Sequence, residues 1–151
     1  HNSAVYSDDL DKYFLIFHTR FPGEGEAHQV RVHEMFFTPD GWPVLAPFRY
    51  VGEDFNALHP LSKREVIGDY QLIHHGLEVN AAIQKPETIR LKTLDSSWSI
   101  KKNNEMQITI DDIRFDGYFL WQWNDALEEY AITFTAVSQT GESIWGVKVN
   151  D

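Results

Sequence analysis

The sequence predicts an all-β protein, in which a small sheet is followed by a small antiparallel barrel or sandwich. Short apolar and aromatic runs alternate with polar residues along the chain, and clusters of turn-forming residues separate them. No stretch keeps the period of a helix for more than one or two turns. Half-buried strands that recur about every 8 to 12 residues are typical of small all-β barrels and sandwiches.

The first 50 residues contain roughly four predicted strands. Short apolar runs mark them: Val5–Tyr6, Tyr13–Phe17, Val30–Val32, Met35–Phe37 and Val44–Leu45. Pro39, Asp40 and Gly41 are typical of a tight hairpin turn in which Gly41 adopts a positive φ. We therefore expect a meander of antiparallel strands. The next segment lacks apolar periodicity and contains Pro60, so the chain divides into a first sheet (residues 1–52), a linker (53–65) and a second β domain (66–151).

Alternation is clearest in the second domain. Predicted strands begin at Gly68 and continue as Ile89–Lys92, Trp98–Lys101, Met106–Ile110, Tyr118–Trp123, Tyr130–Phe134 and Ser143–Val149. A turn is predicted at Asp116–Gly117. Trp98 and Trp145 are expected in the core of this domain. Trp121 and Trp123 share one face of a strand, where they either fill the core, the commoner outcome, or form a platform for sugar rings.

The composition narrows the classes of function. The chain has 13 Lys and Arg against 23 Asp and Glu, a net charge of −10, which argues against binding to nucleic acid or to an anionic membrane. No apolar run approaches the length of about 20 residues that a transmembrane helix needs. The opening residues, His1 to Ala4, are not typical of a signal peptide. The absence of Cys excludes disulfides, thiolate zinc sites and Cys nucleophiles from this chain.

The first sheet carries more large aromatic residues than it can bury. It contains Trp42 and six Phe, whereas a lone four-stranded sheet cannot bury both of its faces. We expect it to pack against the second domain or against a part of the protein outside this chain. By itself the chain should then be poorly soluble or oligomeric.

Four segments of the first part resemble the end of the catalytic domain of glycoside hydrolase family 43: His1–Tyr6, Lys12–Pro22, Val30–Met35 and Asp40–Pro47. The resemblance is to the two-domain bacterial endo-1,5-α-L-arabinanases, in which a His-Asn-Ser segment opens the inner strand of the fifth blade of a β-propeller. Residues 66–149 are similar to their C-terminal β-barrel. The resemblance thus implies the last blade of a five-bladed β-propeller followed by a small antiparallel β-barrel.

The resemblance also implies a function and partners. It indicates a secreted, extracellular, inverting enzyme that cleaves arabinan, whose catalytic Asp and Glu residues come from earlier blades. No catalytic residue is then expected in this chain, and its partners are the N-terminal remainder of the propeller and arabinan or arabino-oligosaccharides. Paired carboxylates in predicted turns lack the apolar surroundings that would raise the pKa of a general acid. They are Asp8–Asp9, Glu24 with Glu26, Asp111–Asp112 and Glu128–Glu129.

Four residues are carried over as site candidates. His1 matches the family histidine that holds a calcium ion in the propeller channel through one imidazole and a shell of waters. Asn2 would lie beside that shell. A nitrogen ligand is unusual for calcium, and the alternative is a frayed terminal histidine.

Arg20 and His18 would lie near the substrate cleft. Arg20 would bind a sugar hydroxyl or the general-base carboxylate, or would instead pair with a structural carboxylate of the next blade. For His18 a structural hydrogen-bonded role is the favoured alternative. A function of a different class also stays open, namely a non-catalytic barrel module that binds carbohydrate or only supports the structure.

Overall fold

The computed structural model describes residues 1–25, 27–52, 56–78 and 82–150. In these residues the protein consists of two antiparallel sheets and two short helical turns. The all-β class predicted from the sequence is therefore confirmed. No helix in the described part is long and apolar enough to cross a membrane.

The first sheet is a four-stranded meander. Its strands are β1 (Asn2–Ser7), β2 (Lys12–Thr19), β3 (Gln29–Phe37) and β4 (Pro43–Leu45), and their order in the sheet is β1-β2-β3-β4. Two of the predicted runs, at residues 30–32 and 35–37, form the single strand β3. The predicted turn before β4 is present, because Gly41 has a φ of 86° and its N–H donates to the Thr38 carbonyl at 2.8 Å.

The second sheet has seven strands and curls around one core. They are β5 (Gly68–His75), β6 (Glu87–Leu91), β7 (Trp98–Ile100), β8 (Glu105–Ile110), β9 (Ile113–Asn124), β10 (Glu129–Ser138) and β11 (Ser143–Lys148), in the order β6-β5-β11-β10-β9-β8-β7. Leu91 of one edge strand and Trp98 of the other lie in the same core. Trp98 Nε1 also donates to the Lys92 carbonyl at 2.9 Å. The sheet therefore forms the barrel-like domain that the sequence predicts, which we call the barrel.

The predicted turn at Asp116–Gly117 is wrong. Both residues lie inside β9, where Gly117 pairs with Ala136 of β10. A Cβ at Gly117 would lie 1.9 Å from the Thr135 carbonyl oxygen. Glycine is present here because the two backbones approach too closely for a side chain. The hairpin lies earlier, at Asp111 and Asp112, whose φ angles are 50° and 62°.

Large rings fill the core of the barrel. Tyr70, Phe119 and Phe134 are fully buried, and the centroid of the Tyr70 ring lies 5.3 Å from that of Phe134. Tyr70 satisfies its hydroxyl by donating to the Val66 carbonyl at 2.7 Å, and burial raises its pKa. Trp98 is buried in this core, as predicted.

Trp145 does not lie in the barrel core, so the prediction for this residue is wrong. It lies on β11 between Ile144, which is fully buried, and Gly146. Side chains of adjacent strand residues point to opposite faces, so Trp145 points away from the core. The inner position belongs to Gly146, because the Phe134 ring fills the space that a side chain there would need.

The predicted linker is only partly described, because residues 53–55 lie outside the described residues. Ala57 is buried against the barrel, and its carbonyl accepts a hydrogen bond from the Trp121 N–H at 2.8 Å. Asn104 accepts from the Leu61 N–H at 2.9 Å and donates to the His59 carbonyl at 2.8 Å. The helical turn α1 (Lys63–Val66) then leads into β5. The domain boundaries stay a prediction.

The two sheets pack directly on one another. A second apolar cluster joins Val44 and Ala46 of the first part to Tyr118, Leu120 and Val137 of the barrel. Two hydrogen bonds accompany it. The Tyr118 hydroxyl donates to the Phe37 carbonyl at 2.7 Å, and the Phe48 N–H donates to Gln122 Oε1 at 3.3 Å. This contact positions the first sheet on the outer face of the barrel.

Candidate functional site

One end of the first sheet gathers the four residues that the sequence singles out. His1 precedes β1, and Asn2 begins β1 and pairs with Phe17 of β2. His18 is the next residue along β2, and Arg20 follows that strand. The antiparallel register therefore places the candidate metal residues next to the candidate substrate residues.

His28 joins this group although it was not among the predicted site residues. Arg20 Nε donates to His28 Nε2 at 2.5 Å. The ring centroids of His18 and His28 lie 4.7 Å apart. The β2–β3 hairpin is the signal that could have revealed His28, because antiparallel pairing returns the chain to the end of the preceding strand.

The positions of His1 and Asn2 do not test the prediction that these residues bind calcium. His1 and Asn2 are exposed. Within the described ranges, no three His, Cys, Asp or Glu side chains lie close enough together to hold a metal ion. His1 offers one imidazole nitrogen and Asn2 one amide oxygen, whereas calcium takes six to eight oxygen ligands. This pair therefore fits a calcium site only if waters or other parts of the protein supply most of the ligands.

Most of the predicted surface carboxylates that the structure describes lie on turns, and Glu129 begins β10. Asp8–Asp9, Asp111–Asp112, Glu128–Glu129 and Glu24 are exposed, and Glu26 lies outside the described residues. Glu34 is a buried carboxylate, with 8% of its surface exposed. It forms an ion pair with Lys12 at 3.0 Å. Glu34 therefore has a structural partner.

Much of the first sheet stays uncovered. Val30 is 69% exposed, Val5 42% and Ile16 38%. β1 is an edge strand, and all of its residues except Ser7 are exposed. The barrel therefore covers only a part of the apolar surface that the sheet presents.

An open cleft of about 920 Å³ separates another part of the first sheet from the barrel. Phe17, Arg31 and His33 line it on the side of the sheet, and His75 and Trp145 line it on the side of the barrel. We call this space the intersheet cleft.

Trp145 lies between two histidines in the intersheet cleft. The His33 ring stacks on it with a centroid distance of 5.8 Å and an interplanar angle of 9°. The His75 ring meets it edge-on at 4.5 Å. His33 Nδ1 lies 2.7 Å from the Ala46 carbonyl oxygen, which can only accept, so this nitrogen carries the proton. Burial lowers the pKa of both histidines.

Three aromatic residues meet at one end of the barrel. Trp121 packs against the core, and its ring stacks on Tyr130 with a centroid distance of 5.3 Å and an interplanar angle of 7°. Trp123 contacts Tyr130 edge-on at 4.9 Å. Tyr130 is 45% exposed. Of the two roles predicted for this pair of tryptophans, Trp121 serves the core, and the cluster still presents an aromatic ring to solvent.

The family model of the C-terminal lipocalin-like domain of glycoside hydrolase family 43 matches residues 47–146, about two thirds of the chain. Two curated relatives carry similar names. The chain is 39% identical to extracellular endo-α-(1→5)-L-arabinanase 2 of Bacillus subtilis, over 98% of this chain and 32% of the relative. It is also 39% identical to the extracellular endo-α-(1→5)-L-arabinanase of Thermotoga petrophila, over 100% of this chain and 34% of the relative.

Solved structures extend the likeness to three dimensions. A glycoside hydrolase family 43 protein from Bacillus licheniformis matches with a TM-score of 0.90 and 42% identity, over 100% of this chain and 35% of that one. Endo-1,5-α-L-arabinanase from Thermotoga petrophila matches with a TM-score of 0.87 and 38% identity, over 99% of this chain and 35% of that one. The chain thus spans about a third of the length of the proteins that it matches.

Proposed function

Because the chain belongs to the family of C-terminal lipocalin-like domains of glycoside hydrolase family 43, we propose that it is the C-terminal part of a secreted endo-1,5-α-L-arabinanase. The likeness of the whole chain to two proteins that are named extracellular arabinanases carries this proposal. The complete enzyme cleaves chains of α-1,5-linked arabinofuranose by a single displacement. One carboxylate activates water and a second protonates the leaving oxygen. Both belong to the part of the enzyme outside this chain.

The activity is tested on the full-length protein with linear 1,5-α-L-arabinan. We expect arabino-oligosaccharides of mixed length as early products, since an endo enzyme cuts within the chain. Proton NMR during the first minutes should show the inverted anomer at the new reducing end. A xylan of similar length is the control substrate. Release of arabinose alone from chain ends, or retention of configuration, would contradict the proposal.

The first sheet serves as the last blade of the propeller. Its four antiparallel strands follow one another in order, which is the arrangement of a propeller blade. The exposure of Val5, Ile16 and Val30 supports this role, because neighbouring blades would cover these apolar side chains. The barrel then follows the blade as an accessory domain.

His1, assisted by Asn2, contributes to a calcium site at the inner strand of this blade. The exposed imidazole at the start of β1 supports the proposal, because it is accessible to an ion held mainly by water. Bound calcium would add a positive charge near the substrate cleft.

The calcium proposal is tested by the metal content of the full-length protein after removal of calcium and reloading. His1→Ala should lower the bound calcium measured by mass spectrometry. His74→Ala is the control, since His74 lies on the barrel beside Glu142, and it should retain the calcium of the unaltered protein. An unchanged calcium content in His1→Ala would contradict a role for this residue.

Arg20 binds substrate at the rim of the cleft, and His18 lies beside it. The hydrogen bond from Arg20 to His28 supports this proposal, because it fixes the direction of the guanidinium group. Arg20→Ala should raise KM for arabinan more than it lowers kcat, since the contact is made in the bound ground state. Arg114→Ala is the control, because Arg114 pairs with Asp116 on the barrel. If Arg20 only pairs with a structural carboxylate, its loss should lower the melting temperature and leave KM unchanged.

The exposed ring of Tyr130 favours a second candidate function, binding of carbohydrate by the barrel without catalysis. Aromatic faces at 45% exposure can stack on sugar rings. Tyr130→Ala in the full-length protein should then weaken binding to insoluble arabinan and leave hydrolysis of short oligosaccharides unchanged. Unaltered binding to insoluble arabinan would leave the barrel with a structural role.

A further inference from the structure

We propose that the intersheet cleft holds a segment of the same protein from outside this chain, so that the barrel contacts the catalytic part directly. This inference rests on the proposed function, in which the first sheet is one blade of a larger propeller. It adds that the blade is not the sole connection between the barrel and the rest of the enzyme.

The walls of the cleft are built for a packed occupant. Phe17 and Met35 present apolar surface from the first sheet, and Val137 and Trp145 present it from the barrel. The cleft between them has a volume of about 920 Å³ and is open to solvent. Exposed apolar surface of this extent is typical of a site at which a further protein element packs.

The length of the relatives identifies the occupant. This chain spans about a third of the proteins that it matches, so about two thirds of such an enzyme lies elsewhere. Blades of a propeller are packed face to face, and the wall formed by Phe17, His33 and Met35 is one face of the proposed blade. The neighbouring blade therefore enters the cleft and reaches Ser143 and Trp145 on the barrel.

The test measures access to the cleft in the native full-length protein. Ser143→Cys places a cysteine in the cleft and Ser99→Cys places one on β7 as the matched control, and each is the only cysteine within this chain. Both serines are half-buried on strands of the same barrel, and only Ser143 lines the cleft. Iodoacetamide is small enough to enter an open cleft of this size. Labelling is followed at the two peptides by mass spectrometry.

A neighbouring blade in the cleft should slow the labelling of the Ser143→Cys variant by roughly tenfold or more relative to the Ser99→Cys control, because reaction then requires local opening. Equal rates for the two variants in the native protein would overturn the proposal. Protection that appears only with added arabino-oligosaccharide, or only at high protein concentration, would overturn it in favour of a sugar or a second copy. Arabinan hydrolysis is measured separately. If the cleft is protected but the enzyme acts on another substrate, the proposed function is refuted and the proposal about the cleft stands.

Discussion

Gly146→Ala should destabilise the barrel because the added methyl group would overlap with atoms of the Phe134 ring. An added Cβ would lie 2.1, 2.3 and 2.7 Å from three ring carbons, whereas ordinary contacts begin at 3.4 Å. The ring would have to move by more than an ångström, and it is fully buried between Tyr70 and Phe119. Overpacking of this kind costs about 3 kcal/mol at the upper end of its usual range. That cost raises the population of the open barrel roughly a hundredfold.

Hydrogen exchange followed by mass spectrometry measures this effect in the full-length protein. Peptides from β10 and β11 should exchange faster by about the same factor, because exchange reports the local free energy of opening. Gly76→Ala is the control and should leave exchange unchanged, since the nearest atom to its Cβ is 4.0 Å away. Combining Gly146→Ala with Phe134→Leu should recover about 2 kcal/mol relative to the sum of the single changes. Unchanged exchange in Gly146→Ala, or no recovery in the double variant, would refute the steric reasoning.

Three further predictions concern stability. Tyr118→Phe removes the hydrogen bond to the Phe37 carbonyl and should cost about 1 kcal/mol in urea denaturation; no loss would mean that this bond contributes nothing. Burial lowers the pKa of His33 and His75 below the ordinary 6.5. The unfolded chain therefore binds more protons than the folded chain, and the melting temperature should fall as the pH drops below about 6.5. His33→Gln should weaken this pH dependence, and an unchanged dependence in the variant would contradict the prediction. Asn104→Ala should lower the free energy of unfolding by roughly 2 to 4 kcal/mol, because it removes two hydrogen bonds and places alanine at a positive φ of 59°. Asn104→Gly should lower it by less, because glycine adopts that φ without strain.

The site is less predictable from the sequence than the strands are. His18 and Arg20 could be placed near one another from their positions in the chain. The hydrogen bond from Arg20 to His28 could not, because it depends on how the loop after β2 returns to β3. The resemblance to family 43 singled out His1 and Asn2, yet no three His, Cys, Asp or Glu side chains of the described residues lie close enough together to hold a metal ion. The candidate residues of this chain therefore indicate where a site lies, whereas they do not by themselves indicate which reaction occurs there.

By itself, the sequence determined the all-β class, most strands of the barrel and the hairpin at Gly41. These features follow from period-two alternation and turn chemistry, which are local properties of the chain. The tertiary structure decided the features that depend on contacts between residues distant in sequence. Gly117 lies within a strand because the backbone of β10 passes beside it, and Trp145 faces the first sheet because Phe134 occupies the inner position at Gly146. A local pattern cannot report a neighbour that is distant in sequence.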